Sequence, residues 1–250
     1  MNKKLLRRIT SCLSAHHACG RAVLLLALLH AAAAAAQVGE HRNDLAIGVG
    51  GGYAINRVSF NPTIKQAWKG GATFGITARY TCEKYFSALC SVQAELNYAN
   101  LGGKEVIETS DDTYSRDIHY LQLPIFARLA WGREQRGAQF FIIVGPQLGY
   151  CIGETEHRGG EWTTSTLSKR PNRVTQQYDL SVQRKFEYGI TGGAGIEIVT
   201  RHAGRFLLDG RYFFGLSDMF NNSKKDPFGR SANGAIYIKA TYLFDVIKTR

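Results

Sequence analysis

Leu45-Ala-Ile-Gly-Val-Gly-Gly-Gly-Tyr-Ala-Ile55 sets Leu45, Ile47, Val49, Tyr53 and Ile55 on one face of an extended chain and Ala46, Gly48, Gly50, Gly52 and Ala54 on the other. A period of two is the side-chain repeat of a β-strand. The phase recurs at 72–81, where Phe74, Ile76, Ala78 and Tyr80 oppose Thr73, Gly75, Thr77 and Arg79, and at 90–99, where Val92, Ala94, Leu96 and Tyr98 oppose Ser91, Gln93, Glu95 and Asn97. Segments 118–131, 138–150 and 185–199 follow the same rule. A seventh carries Phe206, Leu208, Tyr212, Phe214 and Leu216, and an eighth Ile236, Ile238, Ala240, Tyr242 and Phe244. Phe126, Phe141, Ile143, Leu207 and Phe213 interrupt the small or polar face.

The connectors alternate in length. Long ones cover 56–69, 100–117, 151–184 and 217–233, and short ones 82–89, 132–137 and 200–204. Eight strands joined in this way predict an all-β, eight-stranded antiparallel up-and-down barrel, with both termini and all short turns at one end.

Lys3, Lys4, Arg7, Arg8 and Arg21 precede an apolar run from Ala22 to Ala36, which ends in small residues ahead of Gln37. This is the pattern of a cleaved secretory signal peptide over 1–36, with cleavage between Ala36 and Gln37, leaving 37–250 as the barrel. The run is shorter than the roughly 20 residues of a spanning helix. Five basic residues leave with the peptide, which takes the formal charge from +11 to +6. Much of the basicity is therefore targeting, and no basic helix or aromatic-flanked Lys/Arg stripe points to nucleic acid.

Alternation alone also fits a soluble barrel with its apolar face inward. Aromatic residues, however, gather at both ends of the apolar face. Tyr53, Tyr98, Tyr150, Tyr188 and Tyr212 lie toward the long connectors, and Tyr80, Trp131, Phe140, Phe206, Tyr242 and Phe244 toward the short ones or the chain ends. Two such rings match the two interfaces of a bilayer. With the export signal they predict a transmembrane barrel of an outer membrane, its termini in the periplasm and its long loops outside.

The opposite face then lines a lumen that eight strands leave narrow enough to fill with side chains. Arg79, Arg128, Lys185, Arg211 and Lys239 face Glu95, Glu187, Glu197 and Asp209 there, and buried charges persist only when paired. A structural plug of ion pairs is expected, rather than a conducting path. Trp162, Phe220 and Phe228 in the long loops are candidates for contact with a protein partner and equally for capping the barrel mouth. Cys82 and Cys90 flank one short turn, so a disulfide there and a pair of free thiols are both open.

His119 stands near Ser110, Asp111, Asp112 and Ser115, which are residue types of a hydrolase triad, yet a polar loop collects such residues without chemistry. No catalytic, cofactor or metal residues are assigned, and no small-molecule substrate is expected. The glycines at 48–52 and 192–195 open no helix after a strand, so they read as inward-facing strand glycines.

Tyr120-Leu-Gln-Leu-Pro-Ile-Phe-Ala-Arg-Leu129, Val144-Gly-Pro-Gln-Leu-Gly149, the Glu95-Leu-Asn-Tyr98 strand end, Phe186-Glu-Tyr-Gly-Ile-Thr-Gly-Gly-Ala-Gly-Ile-Glu197 and Ala240-Thr-Tyr-Leu-Phe244 resemble the small outer-membrane barrels of the PorT family of Bacteroidota. The resemblance spans essentially the whole mature chain. It implies a non-enzymatic barrel that supports type IX secretion of cargo, proteases included, bearing C-terminal targeting domains, with other subunits of that machine and outer-membrane lipid as its partners. Asp245 to Arg250 extend past Phe244, a departure from barrels that end on an aromatic residue. A general small porin or OmpA-like structural barrel is the alternative.

Overall fold

The computed structural model describes residues 39–134, 136–170, 175–200 and 203–248. The expected cleavage site at Ala36 and Gln37 lies outside them. Contacts divide the chain into Met1–Glu40 and His41–Arg250, and the barrel belongs to the second unit.

Among the described residues nine strands form: β1 (Glu40–Asn61), β2 (Gln66–Ala67), β3 (Lys69–Tyr85), β4 (Ala88–Glu105), β5 (Thr113–Gly132), β6 (Gly137–Gly159), β7 (Phe186–Val199), β8 (Arg205–Gly215) and β9 (Arg230–Ile247). β2 is a two-residue addition to the end of β4, at Gln66↔Glu105 and Ala67↔Lys104. The other eight run in the ring order β1-β3-β4-β5-β6-β7-β8-β9, with β9 back against β1 from Leu45↔Ile247 to Asn61↔Arg230. Closure gives each of the eight a hydrogen-bonded neighbour on either side, the condition under which strands can cross a bilayer. α1 (Thr164–Ser168) is a single turn in the loop 160–185, begun by the Thr163 hydroxyl accepting from the Thr166 amide.

The two faces are inverted relative to a soluble fold. Val49, Phe74, Val144, Ile190, Leu208 and Ile238 stand outward and half-exposed, while Arg79, Glu95, Arg128, Glu197 and Lys239 are each no more than 2 % exposed inside. Burying charge while exposing Leu, Ile and Phe costs free energy in water and stabilises the chain in lipid. Some glycines make this packing physically feasible. A Cβ on Gly50 would come within 2.8 Å of Lys239 Cε, and one on Gly195 within 2.6 Å of the Phe141 ring. The aromatic and aliphatic interruptions of the polar face are inward too. Phe126, Phe141, Ile143 and Leu207 pack with Ala46, Leu89, Ala130 and Leu243 into an apolar cluster at the turn end of the lumen.

Several strands outrun the expected boundaries. β1 continues to Asn61, β4 to Glu105, β5 begins at Thr113 and β6 ends at Gly159, so much of the expected loops at 56–69 and 100–117, and the first part of 151–184, is wall. Above Leu121 and Ile152 the outward positions of β5 and β6 turn polar (Ser115, Asp117, His119, Thr155, His157), and this part of the wall stands clear of an apolar phase. The first turn shrinks from 82–89 to Phe86 and Ser87, with Phe86 at φ 51° and 82 % exposed.

The barrel predicts that the chain 37–250, refolded in detergent, gives a β-dominated circular dichroism spectrum and migrates faster on gels before boiling than after. A mainly helical spectrum contradicts it.

Candidate functional site

Two ionic clusters cross the lumen. In the first, Glu95 on β4 accepts from Arg211 on β8 through both carboxylate oxygens, at 2.8 and 2.9 Å, from Lys239 on β9 at 2.7 Å, and from Gln93 and Asn97 at 2.7 and 2.9 Å. Asp209 takes the other edge of the Arg211 guanidinium, with one contact at 3.0 Å. In the second, Glu197 on β7 accepts from Arg79 on β3 at 2.6 and 3.2 Å, from Arg128 on β5, and from Arg205 on β8 at 3.1 Å. Arg205 turns its Nε to Asp245 at 2.7 Å. β4 and β8, like β3 and β7, lie opposite one another in the ring, so each carboxylate is gripped from the far wall. Arg128 stacks over Phe141 at 4.4 Å and Arg211 over Phe126 at 5.0 Å.

The expected charge set needs two corrections. Lys185 is exposed and precedes β7, because the chain leaves the wall there with its carbonyl accepting from the Cys151 amide at 2.7 Å. Glu187 is buried, but its recorded partner is Asn233, whose Nδ2 donates at 2.5 Å. Among the described residues no cation pairs with it. Arg205, buried on the same face of β8 as Asp209 and Arg211, is a full member of the Glu197 cluster.

The long loops close over the loop end. Phe220 and Phe228 are 1 % and 0 % exposed and pack on Phe60, with ring centroids at 6.3 and 5.1 Å. They cap the mouth and offer no contact to a partner, because loop 216–229 folds inward, with the Met219 amide on the Ser231 carbonyl at 2.9 Å and the Gly229 amide on the Asn61 carbonyl at 2.8 Å. Trp162 is half-buried, edge-on to Tyr178 at 4.8 Å, with Arg158 and Arg170 over its ring at 5.3 and 5.2 Å. Arg116 fastens loop 160–185, donating to the carbonyls of Leu180 at 2.7 Å and Gln177 at 2.9 Å while pairing with Glu154 and Glu156. The cavity left between Phe60, Tyr114, Arg116 and Phe220 is about 20 Å³, room for about one water.

Of the residues that suggested a triad, the Ser110 hydroxyl donates to Asp112 at 3.0 Å, but His119 is not gathered with them. His119 Nδ1 meets the Tyr98 hydroxyl at 2.7 Å, while Asp112 binds Arg170 at 2.9 Å and the amides of Glu161 and Trp162 at 3.1 and 3.3 Å. Cys82 and Cys90 are free thiols. A bulge puts Glu83, not Cys82, opposite Cys90, and the Cys82 thiol donates to the Cys90 carbonyl at 3.3 Å. The bridge is therefore not formed.

Removing the Glu197 carboxylate leaves three guanidiniums facing one another in a buried lumen. Glu197→Gln is expected to destabilise the folded barrel by about 3–5 kcal/mol, read as a shift in the urea midpoint for unfolding from detergent. Lys185→Gln is expected to leave that midpoint unchanged. The cap is expected to be acid-sensitive. Burial pushes the Asp112 carboxyl up, but the Trp162 amide and the Thr166, Ser110 and Arg170 side chains hold it below the usual range. Burial likewise raises Glu156, and Arg158, Tyr114 and Arg116 more than reverse it. Depressed carboxyls stabilise the cap above their unfolded pKa values, about 4, and that stability is lost as pH falls through the folded values. Proteolysis in 160–185 by an acid-active protease should rise below about pH 4 while the barrel stays resistant.

Comparison with solved structures finds Ail, the attachment invasion locus protein of Yersinia pestis crystallised with the heparin analogue sucrose octasulfate, at 13 % identity over 80 % of this chain and 99 % of that one, TM-score 0.36. The N-terminal β-barrel domain of Pseudomonas aeruginosa OprF matches at 9 % identity over 83 % and 100 %, TM-score 0.35. The outer membrane enzyme PagL matches at 11 % over 76 % and 98 %, TM-score 0.33. No curated protein sequence matches. The family model described as outer membrane protein beta-barrel domain matches residues 35–221, and with the closed, apolar-faced wall this places the chain in the outer-membrane β-barrel domain family.

Proposed function

We propose that the chain is a non-enzymatic outer-membrane barrel that supports type IX secretion through contacts with other secretion subunits, without forming the pore itself. The observation that carries the second half of this reading is the filled lumen. Glu95 and Glu197 draw Arg211, Lys239, Arg79, Arg128 and Arg205 across the barrel, and Phe220 and Phe228 close its mouth. Passing a solute would mean breaking buried ion pairs, and passing a polypeptide would mean unwinding the wall. What supports the secretion half is the resemblance of Tyr120–Leu129, Val144–Gly149 and Phe186–Glu197 to the PorT family.

In this reading the long loops face outward and the termini lie in the periplasm, as an even strand count allows. The surfaces left for partners are the outer wall, the exposed parts of loops 106–112, 160–185 and 216–229, and the turns. Phe86, 82 % exposed at the tip of the β3–β4 hairpin, is one such surface on the periplasmic side.

Deletion of the gene tests both halves. Periplasmic retention of cargo bearing C-terminal targeting domains is expected, together with little or no steady conductance of the purified barrel in planar bilayers. Normal secretion with altered solute permeability would identify a general small porin or OmpA-like barrel instead, and a large stable channel would overturn the plug.

A further inference from the structure

The cations at the loop end are unevenly matched. On the β3–β6 side, Lys69 pairs with Asp117, Arg116 with Glu154 and Glu156, Arg158 with Glu156 and Asp179, and Arg170 with Asp112, and only the exposed Lys104 and Lys169 stand without an ion pair there among the described residues. On the β7–β9 side, Arg184, Lys185, Lys224, Lys225 and Arg230 are all exposed, and among the described residues none forms an ion pair with a carboxylate. Arg184 instead reaches the amide oxygens of Asn221 and Asn222 at 3.3 and 3.0 Å. The acids of the same loop are already engaged. Asp218 accepts from the Ser231 amide at 2.6 Å and from Asn222 at 2.9 Å, and Asp226 from the Ser223 amide at 2.9 Å and from its hydroxyl.

This basic arc sits on the shoulder of the apolar wall. Lys185 adjoins Phe186, and Tyr188, Tyr212, Phe214 and Leu216 continue the outward, half-exposed surface below. Arg230 lays its guanidinium over Phe214 at 5.8 Å, and on the neighbouring β1 Arg57 does the same over Trp68 at 4.9 Å. A guanidinium seated on a lipid-facing aromatic ring is held where acyl chains give way to headgroups. Loop 216–229 is fastened to the wall at that level by the Leu216 amide on the Tyr188 carbonyl at 2.9 Å, and to loop 160–185 by the amides of Gln183 and Arg184 on the Met219 carbonyl at 3.1 and 3.0 Å. Lys224 and Lys225 therefore belong to the same rim.

We propose that this arc binds the phosphorylated headgroup of the anionic glycolipid in the leaflet surrounding the loop end. Arginine presents a planar fork that fits phosphate in a bidentate way, and lysine supplies a mobile point charge. Cations at a membrane shoulder act on an anionic leaflet within a Debye length, so the attraction is additive and salt-sensitive. The lipid would fill a half-shell around β7, β8 and β9, and the more fully paired β3–β6 side would be left for contacts that depend less on charge. The proposal rests on the orientation given above, with the long loops outside.

The test uses the chain 37–250 refolded into phosphatidylcholine nanodiscs containing bisphosphorylated lipid A, with lipid A retained per barrel read by native mass spectrometry after mild detergent extraction. Wild type is expected to retain it, and the combined variant Lys185→Gln, Lys224→Gln, Lys225→Gln, Arg230→Gln to retain at least about tenfold less. The control variant Lys104→Gln, Lys169→Gln, two exposed lysines outside the arc, should match wild type, and inorganic phosphate should not displace the lipid. Equal retention of dephosphorylated lipid A, undiminished retention by the fourfold variant, or an equal loss in the control would each overturn the proposal. Heat-modifiable migration of every variant reports the barrel separately. If protease cuts loop 160–185 only after the outer membrane is permeabilised, the orientation fails, and this proposal with it.

Discussion

Two buried carboxylates set the terms for the rest of this barrel. Glu95 and Glu197 stand on opposite parts of the wall, and each is reached by a guanidinium from the strand facing it across the ring, Arg211 and Arg79. An isolated charge in such a lumen carries a large desolvation penalty, and repayment requires short contacts and complete hydrogen bonding. Glu95 meets that demand with five donor contacts from four side chains. The span of one arginine plus one glutamate also suits the width of an eight-stranded ring. In a wider barrel the same side chains would end in water, and in a narrower one they would not fit.

Other features follow from keeping those bridges in place. Gly50 and Gly195 are small because Lys239 and Phe141 occupy the space where their Cβ atoms would go. Phe126 and Phe141 break the polar phase because they carry the guanidiniums of Arg211 and Arg128 on their faces and shut the turn end. At the other end the closure is of a different kind. Arg116 is buried, but the Glu154 and Glu156 side chains that pair with it remain partly exposed, and it holds the backbone of a loop instead of a wall. The lumen is thus locked by buried ionic bridges, whereas in the cap the buried Arg170–Asp112 pair is joined by partly exposed contacts of Arg116 and Arg158 that screening and acid weaken.

The period-two pattern made the eight wall strands and their faces legible, because one face must be apolar wherever lipid touches it. That signal ends where the lipid ends. β5 and β6 go on pairing above the apolar band, with polar residues on both faces, so 113–117 and 153–159 read as loop although their backbones are ladder. A bulge at Ile152 then switches the phase of β6, since His119 pairs with Gly153 and Tyr120 with Cys151. That switch turns Glu154 and Glu156 toward Arg116, a contact no fixed alternation could have placed. Extending the phase of Gln122 backward through Tyr120 and Ile118 does reach Arg116, so half of the pair was available. Lys185 was assigned to the lumen by carrying the parity of Glu187 one step too far, past the residue where the backbone leaves the sheet. Phe220 and Phe228 leave capping and partner contact equally open in the sequence, for a different reason. Loop aromatics look the same in sequence whether they face outward or fold back onto Phe60.

The shortness of β8 connects the filled interior to the uneven rim. β8 stops at Gly215, whereas β6 runs on to Gly159 and β5 from Thr113, so the wall is low on one side and high on the other. Where it is high, a polar ladder carries alternating acids and bases that satisfy one another within the protein. Where it is low, the loop 216–229 must bridge from β8 to β9 across the gap, and its inward half supplies Met219, Phe220 and Phe228 to the cap. Its outward half is then confined to the rim, its two acids spent on holding the turn together. The lysines it carries, with Arg184, Lys185 and Arg230, are left facing outward just above lipid. Paired charge inside the barrel and charge outside any ion pair at its shoulder thus share a geometric origin, a wall too short on one side to pair everything with itself.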